Sequence, residues 1–364
     1  FGAAHAAAWA AETGIIHELM LRDRANNHQS LADQGHTNSL YDLNLAEAVR
    51  REPNLTPFLN TSVRGVAAED VDLAGYSRRI IQVHGSQLGS EKEFVLSADQ
   101  FVDATGDGTI GALAAAEFRY GREARAEFGE PLAPLSADQV TLGSTITMRA
   151  RRTDRPAPYF APPWIERYTS PDDFVLDRQL YRIEQDSFGG FWWLEVNNPF
   201  HQIDDHEKIR DELHRHVLGV WNYLKNHSPQ RDLLANYVLD WVGMLPGKRE
   251  SRRLVGDVIL TEHDCHSDRN WTDAVAYAAW WIDLHTKGGV NNRQAPAERE
   301  NLDARYRDYV RVAPFSIPLR AYYSRNVANL WMTGRVLSVS HVALGPVRVQ
   351  LSLAAQGQAV GTAA

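Results

Sequence analysis

The chain has 364 residues, 44% of them hydrophobic and 23% charged, an ordinary globular composition that argues against disorder, collagen-like repeats and a coiled coil. Its net charge of −8 disfavours a nucleic-acid partner, which normally meets a basic face, and no run approaches the ~20 apolar residues of a membrane span. The single cysteine, Cys265, excludes an intramolecular disulfide, which fits a reducing compartment and leads us to expect a cytoplasmic protein.

The sequence opens on Phe1-Gly2-Ala3-Ala4-His5, with no initiator Met and without the basic-then-apolar pattern of a signal peptide. It is therefore expected to begin partway through a longer unit. Residues 39–51 place Leu40, Leu43, Ala46 and Val49 at helical spacing. Phe58-Leu59 and Val63–Val66 read as short strands, and residues 78–84 and 92–97, alternating around Gly85–Gly89, read as a hairpin. Gln100–Ala104 reads as a strand, Gly106-Asp107-Gly108 as a turn and Thr109–Phe118 as a small-residue helix. From about 132 to 300 the composition shifts, with eight of the ten tryptophans between Trp164 and Trp281. Thr141–Ala150 and Phe191–Asn197 read as strands of a separate sheet. Asp204–Lys225 reads as an amphipathic helix with Asp204 or Asp205 as its N-cap. Val327–Thr333 reads as a strand, Gly334–Gly345 as a loop and Gln350–Ala364 as a helix rich in Ala and Gly.

Four segments carry groups suited to chemistry. The strand ending in Thr105-Gly106-Asp107-Gly108 lets backbone N–H groups approach a nucleotide, although strand–glycine–helix turns also occur without one. The tail from Gly334 to Arg348 leads into a helix made nearly smooth by Ala354, Ala355, Gly357, Ala359, Gly361 and Ala363. A helix start aimed at a flavin's pyrimidine edge stabilises the reduced ring; the plain alternative is a small-residue helix packed on a sheet. In Pro246–Asp257, Lys248, Arg249, Arg252 and Arg253 stand close together. Strand alternation places Arg249, Ser251 and Arg253 on one face and Glu250 and Arg252 on the other, so one face can clamp a carboxylate or phosphate, while a charge run alone reads as a solvated face. Trp280-Trp281-Ile282-Asp283-Leu284-His285 sets an Asp two residues from a His beside an aromatic pair, open to acid/base work or to plain structural hydrogen bonding. His263-Asp264-Cys265-His266 lacks the paired ligand spacing of a structural zinc site, and no metal is expected.

Taken in order, Asp103–Gly108, Gly247–Arg253 and Gly334-Arg335…Ser340-His341…Gly345…Arg348 resemble the bacterial FAD-dependent oxidoreductases, sometimes labelled xanthan lyase. Shorter stretches are similar too: Gly121–Pro131, Leu142–Thr145, Asp273–Tyr277 and Pro318–Asn329. The likeness runs from about Gly14 to the end. It implies an α/β fold: a glutathione-reductase-type, Rossmann-like FAD-binding domain with an inserted α+β substrate domain. The expected parts are a partial FAD-binding domain at 1–131, an aromatic-rich substrate domain at 132–310 and a return to the FAD-binding domain at 311–364. Such enzymes open on a strand and a Gly-x-Gly-x-x-Gly turn for the FAD pyrophosphate. By the resemblance Phe1 falls just downstream, so that strand and turn are expected to be absent.

The resemblance also implies FAD as cofactor, with Thr105, Gly106 and Asp107 near the dinucleotide and Gly334 and Arg335 near the isoalloxazine or ribityl region. His341, Gly345 and Arg348 are expected against the flavin ring. Arg249, Glu250 and Trp280 are the candidates for substrate binding, and His341, His285, Asp283 and Arg252 for catalysis. The expected reaction is hydride transfer from a substrate C–H to the flavin while His341 or His285 takes a hydroxyl proton. Tryptophan enrichment suggests a small polar, carbohydrate-related substrate, because sugar faces stack on indole. Two other classes stand beside this one. The first is a flavin-free relic that binds a ligand or partner. The second is a glycoside hydrolase or lyase drawing on Asp186, Glu195, Asp204 or Asp205. A small-molecule substrate is the expected partner, with neither nucleic acid nor membrane, and a homo-oligomer is left open.

Overall fold

In the computed structural model, which describes residues 10–26, 40–173, 187–267, 269–292 and 309–364, the chain separates into two units. The first is built from Phe1–Ala137, Arg252–Asp283 and Asp308–Ala364, the second from Asp138–Ser251 and Leu284–Arg307. Residues 1–9 and Asp186 lie outside the described residues.

The first unit opens with helices α1 (Ile15–Ala25) and α2 (Tyr41–Arg51), the latter being the helix expected from its apolar spacing. A three-stranded antiparallel sheet follows, β1 (Thr61–Leu73), β2 (Tyr76–Gln87) and β3 (Glu93–Ser97), in that order. The expected hairpin is β2–β3, with Gly85 opposite Phe94. Phe58-Leu59 lies outside any strand. β1 runs well beyond Val63–Val66, because register shifts at Val63/Gly65 and Ala67/Ala68 break the period-two pattern that sequence reading relies on. β4 (Phe101–Asp103) then turns into α3 (Thr109–Leu113), which ends sooner than expected: Ala115 takes a φ of 59° and redirects the chain into β5 (Phe118–Arg119). α4 (Arg125–Phe128) closes this part.

The second unit holds β6 (Ser144–Thr145), β7 (Met148–Arg152), β8 (Ser187–Gly190), β9 (Glu195–Val196), α5 (His206–Asn222) and β10 (Tyr237–Val242). Two antiparallel sheets form, ordered β10-β7-β8 and β6-β9. The apolar stripe of α5, Ile209, Leu213, Val217, Val220 and Trp221, is buried against Tyr168, Leu194, Tyr223 and Leu234, each large side chain contributing roughly 1.5–3 kcal/mol. Asp205 stands at the start of α5, but its carboxylate accepts from the Lys208 side chain and from the His201 N–H rather than from a backbone N–H of the helix. The helix runs on as a π-turn, Tyr223–His227. There Lys225 donates to the carbonyls of Leu234, Ala235 and Tyr237 at 2.8, 3.0 and 2.9 Å.

Back in the first unit, β11 (Arg253–Leu254) pairs with β5, and α6 (Glu262–Cys265) starts with a capping box between Thr261 and Asp264. β12 (Ala274–Ala278) pairs with β13 (Phe315–Pro318), and β14 (Leu330–Met332) pairs in parallel with β4. Ile80, Phe101, Ile110, Leu254, Leu330, Met332 and Val336 form the core around that parallel pair. The expected loop from Gly334 to Gly345 is partly helical: α7 (His341–Val347) starts at its end, with the Ser340 hydroxyl accepting from the Ala343 N–H. α8 (Gln350–Ala363) matches the expected final helix. No helix among the described residues is long and apolar enough to cross a membrane.

Candidate functional site

The turn after β4 is organised by one buried carboxylate. Asp103 accepts the Thr105 N–H and hydroxyl at Oδ1 (3.0 and 2.7 Å) and the Gly111 N–H at Oδ2 (2.9 Å), while the Thr105 oxygen accepts the Thr109 N–H (2.9 Å). Gly106 and Gly108 take φ values of 76° and 64°, a left-handed backbone that favours glycine. Parallel strands end on the same edge, so the residues after β14 join this turn, with Thr333 N–H donating to the Asp103 carbonyl at 3.0 Å. A Cβ on Gly106 would collide with the guanidinium of Arg335. Arg252 donates to the Asp107 carbonyl at 3.3 Å and lies over the Phe118 ring. Thr105, Gly106, Asp107, Gly334, Arg335 and Arg252 are thus one neighbourhood.

That neighbourhood holds a pattern the sequence reading missed. Gly106, Gly108 and Gly111 are themselves spaced Gly-x-Gly-x-x-Gly, after a strand and opening a helix, which is the context that gives the pattern meaning. That turn is distinct from the domain-opening strand and turn expected to be absent, which precede it in the enzymes the sequence resembles. Gly106 and Gly108 make the tight turn, and Gly111 allows close packing, since a Cβ there would sit 2.6 Å from Leu254 Cδ2.

A second cluster supports α7. The expected alternation through Arg249–Arg253 is not seen, because only Arg253–Leu254 is strand and Glu250, Ser251 and Arg253 are all buried. Arg253 is neither a solvated charge nor a ligand clamp. It donates to Glu123 (3.0 Å), to the Val339 carbonyl (2.9 Å) and to the Gly121 carbonyl. Glu123 in turn accepts the His341 backbone N–H at 2.9 Å, which fixes the first residue of α7. Ser340 donates its hydroxyl to Glu130, whose Oε1 also accepts the Glu262 N–H at 2.8 Å. Burial raises the Glu130 carboxyl above its usual range, with these two hydrogen bonds opposing the shift and the nearby Glu123 and Glu262 adding to it. Glu123 and Glu130 were not singled out from sequence, although both lie in the segment Gly121–Pro131 on which the family likeness partly rests. Cys265 is buried, which pushes its thiol up. Among the described residues no group of three or more His, Cys, Asp or Glu is arranged to hold a metal.

Asp283 and His285 each have partners of their own. Asp283 accepts from Arg348 at 2.6 Å, and Gly345 lies so close that a Cβ would sit 2.8 Å from the Asp283 nitrogen, so α7 packs directly on this segment. Trp280 is buried and lies against Trp281, ring centroids 4.0 Å apart and the planes tilted by 32°.

His285 belongs to a cluster in the second unit. Its Nδ1 lies 2.7 Å from Oε2 of Glu195, and Arg249 Nη1 lies 2.8 Å from the same oxygen. Arg249 also donates to the carbonyls of Gly143 (2.8 Å) and Trp192 (2.7 Å). Glu250 is buried and accepts the Leu142 N–H at 2.8 Å. Asp204 pairs with His201 at 3.1 Å. The His285–Glu195 pairing spans too many residues for spacing to suggest it.

No curated protein matches the chain. A family model described as FAD dependent oxidoreductase matches residues 2–364. With the match extending over nearly every residue, the chain belongs to the FAD dependent oxidoreductase family, whose cofactor is FAD.

Proposed function

We propose that the protein oxidises a C–H/C–OH group of a small polar substrate. The first unit acts as a glutathione-reductase-type FAD-binding domain and the second as the substrate domain. The observation that carries this reading is the gathering of Arg335 and Arg252 about the glycine turn between β4 and α3. Two guanidinium groups packed against a glycine turn suit a pyrophosphate.

The residues present fit FAD in a further respect. The space where Gly334 would carry a Cβ holds no atom within 4 Å. Close by, Thr333 Oγ1 and Ser338 Oγ are buried without a hydrogen-bond partner among the described residues. Buried polar atoms ordinarily find partners, and the polar edge of a cofactor would supply them. FAD, when bound, supplies a two-electron acceptor. The chain's own contribution is to bind the phosphates through Arg335 and Arg252, to keep the backbone low at Gly106 and Gly334, and to take a hydroxyl proton at His341 or His285. In the second unit Trp192, 42% exposed, offers an indole face on which a carbohydrate-related substrate would stack.

The test is a titration of the purified full chain with FAD, followed by the flavin's visible absorption and by fluorescence. Uptake of FAD is expected, with Arg335→Ala weakening it by about tenfold or more, or roughly 1.4 kcal/mol. A colourless protein that takes up no added FAD overturns the proposal.

A further inference from the structure

We infer that Trp241, Arg149, Arg151 and Asp240 form a binding surface on the second unit for a saccharide that carries a carboxylate. The inference goes beyond the reading above, since neither FAD nor Trp192, the indole named there, takes part. It stands on a β-bulge. Strand alternation would follow the inward Leu239 with an outward Asp240 and an inward Trp241. Instead Leu239 pairs with Ala150 and Trp241 with Arg149, so Asp240 is an extra residue in β10 and Trp241 is turned onto the outer face. On the inner face Met148 and Ala150 are buried, and Leu239 and Val242 pack on the core. On the outer face the indole is 52% exposed. The bulge thus gives up the burial that a tryptophan would otherwise contribute, and bulges that re-aim a side chain are features of functional sites. A Cβ on Gly243 would sit 3.3 Å from Trp241 Cη2, so the ring is braced at that edge while half its surface stays open.

Beside the indole the polar groups are fixed. Asp240 Oδ2 accepts from Nε and Nη2 of Arg149 at 3.0 and 2.7 Å, and its Oδ1 accepts from Nε of Arg151 at 2.8 Å. The two guanidinium groups hold this carboxylate below its usual range. Their own side chains remain 51% and 55% exposed. Arg149 Nη1 and both terminal nitrogens of Arg151 make no hydrogen bond to the described residues. Two positive charges against one negative leave the group attractive to an anion, and guanidinium N–H donors suit a carboxylate. A sugar ring turns a face of C–H bonds to an indole and its hydroxyls to the rim, where Asp240 is an acceptor. A simple anion makes no use of the indole, and a neutral sugar leaves the surplus charge unanswered; an acidic sugar meets both. The three charged groups order one another before any ligand arrives, which lowers the cost of binding.

The test is isothermal titration calorimetry of the purified full chain, without FAD, against a galacturonic acid trisaccharide and against maltotriose as its neutral counterpart. The acidic sugar is expected to bind about tenfold or more tightly than maltotriose, and to weaken as salt is raised, because exposed charges are screened. Trp241→Ala, and Arg149→Gln together with Arg151→Gln, are each expected to weaken it by about tenfold or more. No binding by the wild-type chain overturns the inference whatever the variants do. Equal affinity for maltotriose overturns it too, as does a loss that follows Trp192→Ala and not Trp241→Ala, which puts the sugar at the other indole. If Trp241→Ala instead breaks up a self-associated form that binds no sugar, the surface is a protein contact and the inference falls. Every readout is taken without FAD, so a chain that fails to bind FAD overturns the proposed oxidoreductase reading separately.

Discussion

Arg253 and Glu123 form an ion pair of 3.0 Å in which the side chains keep only 0% and 4% of their surface exposed. The same carboxylate receives the His341 N–H, so one buried charge pair links β11 to the start of α7.

Removing one member leaves the other charged and buried, which costs about 3–5 kcal/mol. Arg253→Met and Glu123→Gln are each expected to lower the unfolding free energy by that order in urea denaturation. The double variant is expected to lose less than the two single losses together, since neither charge is then stranded.

Gly106→Ala and Gly334→Ala separate the roles of the two glycines. Both residues have a left-handed φ, 76° and 79°, so each substitution costs about 1–3 kcal/mol in backbone strain. At Gly106 the new methyl displaces Arg335, whereas at Gly334 it enters space that no protein atom occupies. FAD titrations are expected to show weaker binding in both. On the proposed placement of FAD, the methyl of Gly334→Ala enters space the cofactor would fill, and wild-type affinity in that variant counts against FAD lying there.

Glu130 gives the pH dependence a definite sign. Burial raises its folded-state value, whereas in the unfolded chain the carboxyl ionises near the ordinary glutamate value of about 4.3. The folded state therefore binds the proton more tightly. Its contribution is most favourable below the unfolded value and is lost as pH rises to the folded one. Glu130→Gln keeps an acceptor for Ser340 without the charge. It is expected to flatten the fall in stability above about pH 4.3, measured as unfolding free energy against pH.

Lys225 closes the end of α5 by donating to three carbonyls. Hydrogen bonds to a charged group are worth about 1.5–3 kcal/mol, and an acceptor left buried without a donor costs about 1–3 kcal/mol. Lys225→Met is therefore expected to destabilise the second unit by roughly 3 kcal/mol, seen in urea denaturation followed by tryptophan fluorescence.

Elements whose residues repeat at one period were legible in the sequence. α2 and α5 follow helical spacing, β2–β3 follows alternation about a glycine-rich turn, and α8 is legible from its Ala- and Gly-rich composition. Thr105 to Asp107, Gly334 and Arg335, the residues expected at the cofactor, were legible as glycine turns and meet because β4 and β14 pair in parallel. α7 was read as a loop because Gly345 and Pro346 are poor helix formers. It forms because Ser340 caps it and every residue from His341 to Val347 is buried. The partners of Arg253 and His285 were illegible for another reason: Glu123 and Glu195 lie in distant segments, and spacing says nothing about pairs that only tertiary folding joins. Arg253 also ran against prior expectation, since an arginine in a basic run is seldom fully buried.

The parallel pairing of β4 with β14 has a consequence for synthesis on the ribosome. Phe101–Asp103 leaves the exit tunnel long before Leu330–Met332 is made, and most of the second unit emerges in between. Domains fold as units while translation proceeds, so the second unit has its main segment in hand early. The glycine turn after Phe101–Asp103 therefore waits for its parallel partner until Leu330–Met332 has been made. On the proposed placement of FAD at this turn, cofactor loading follows the folding of the second unit's main segment.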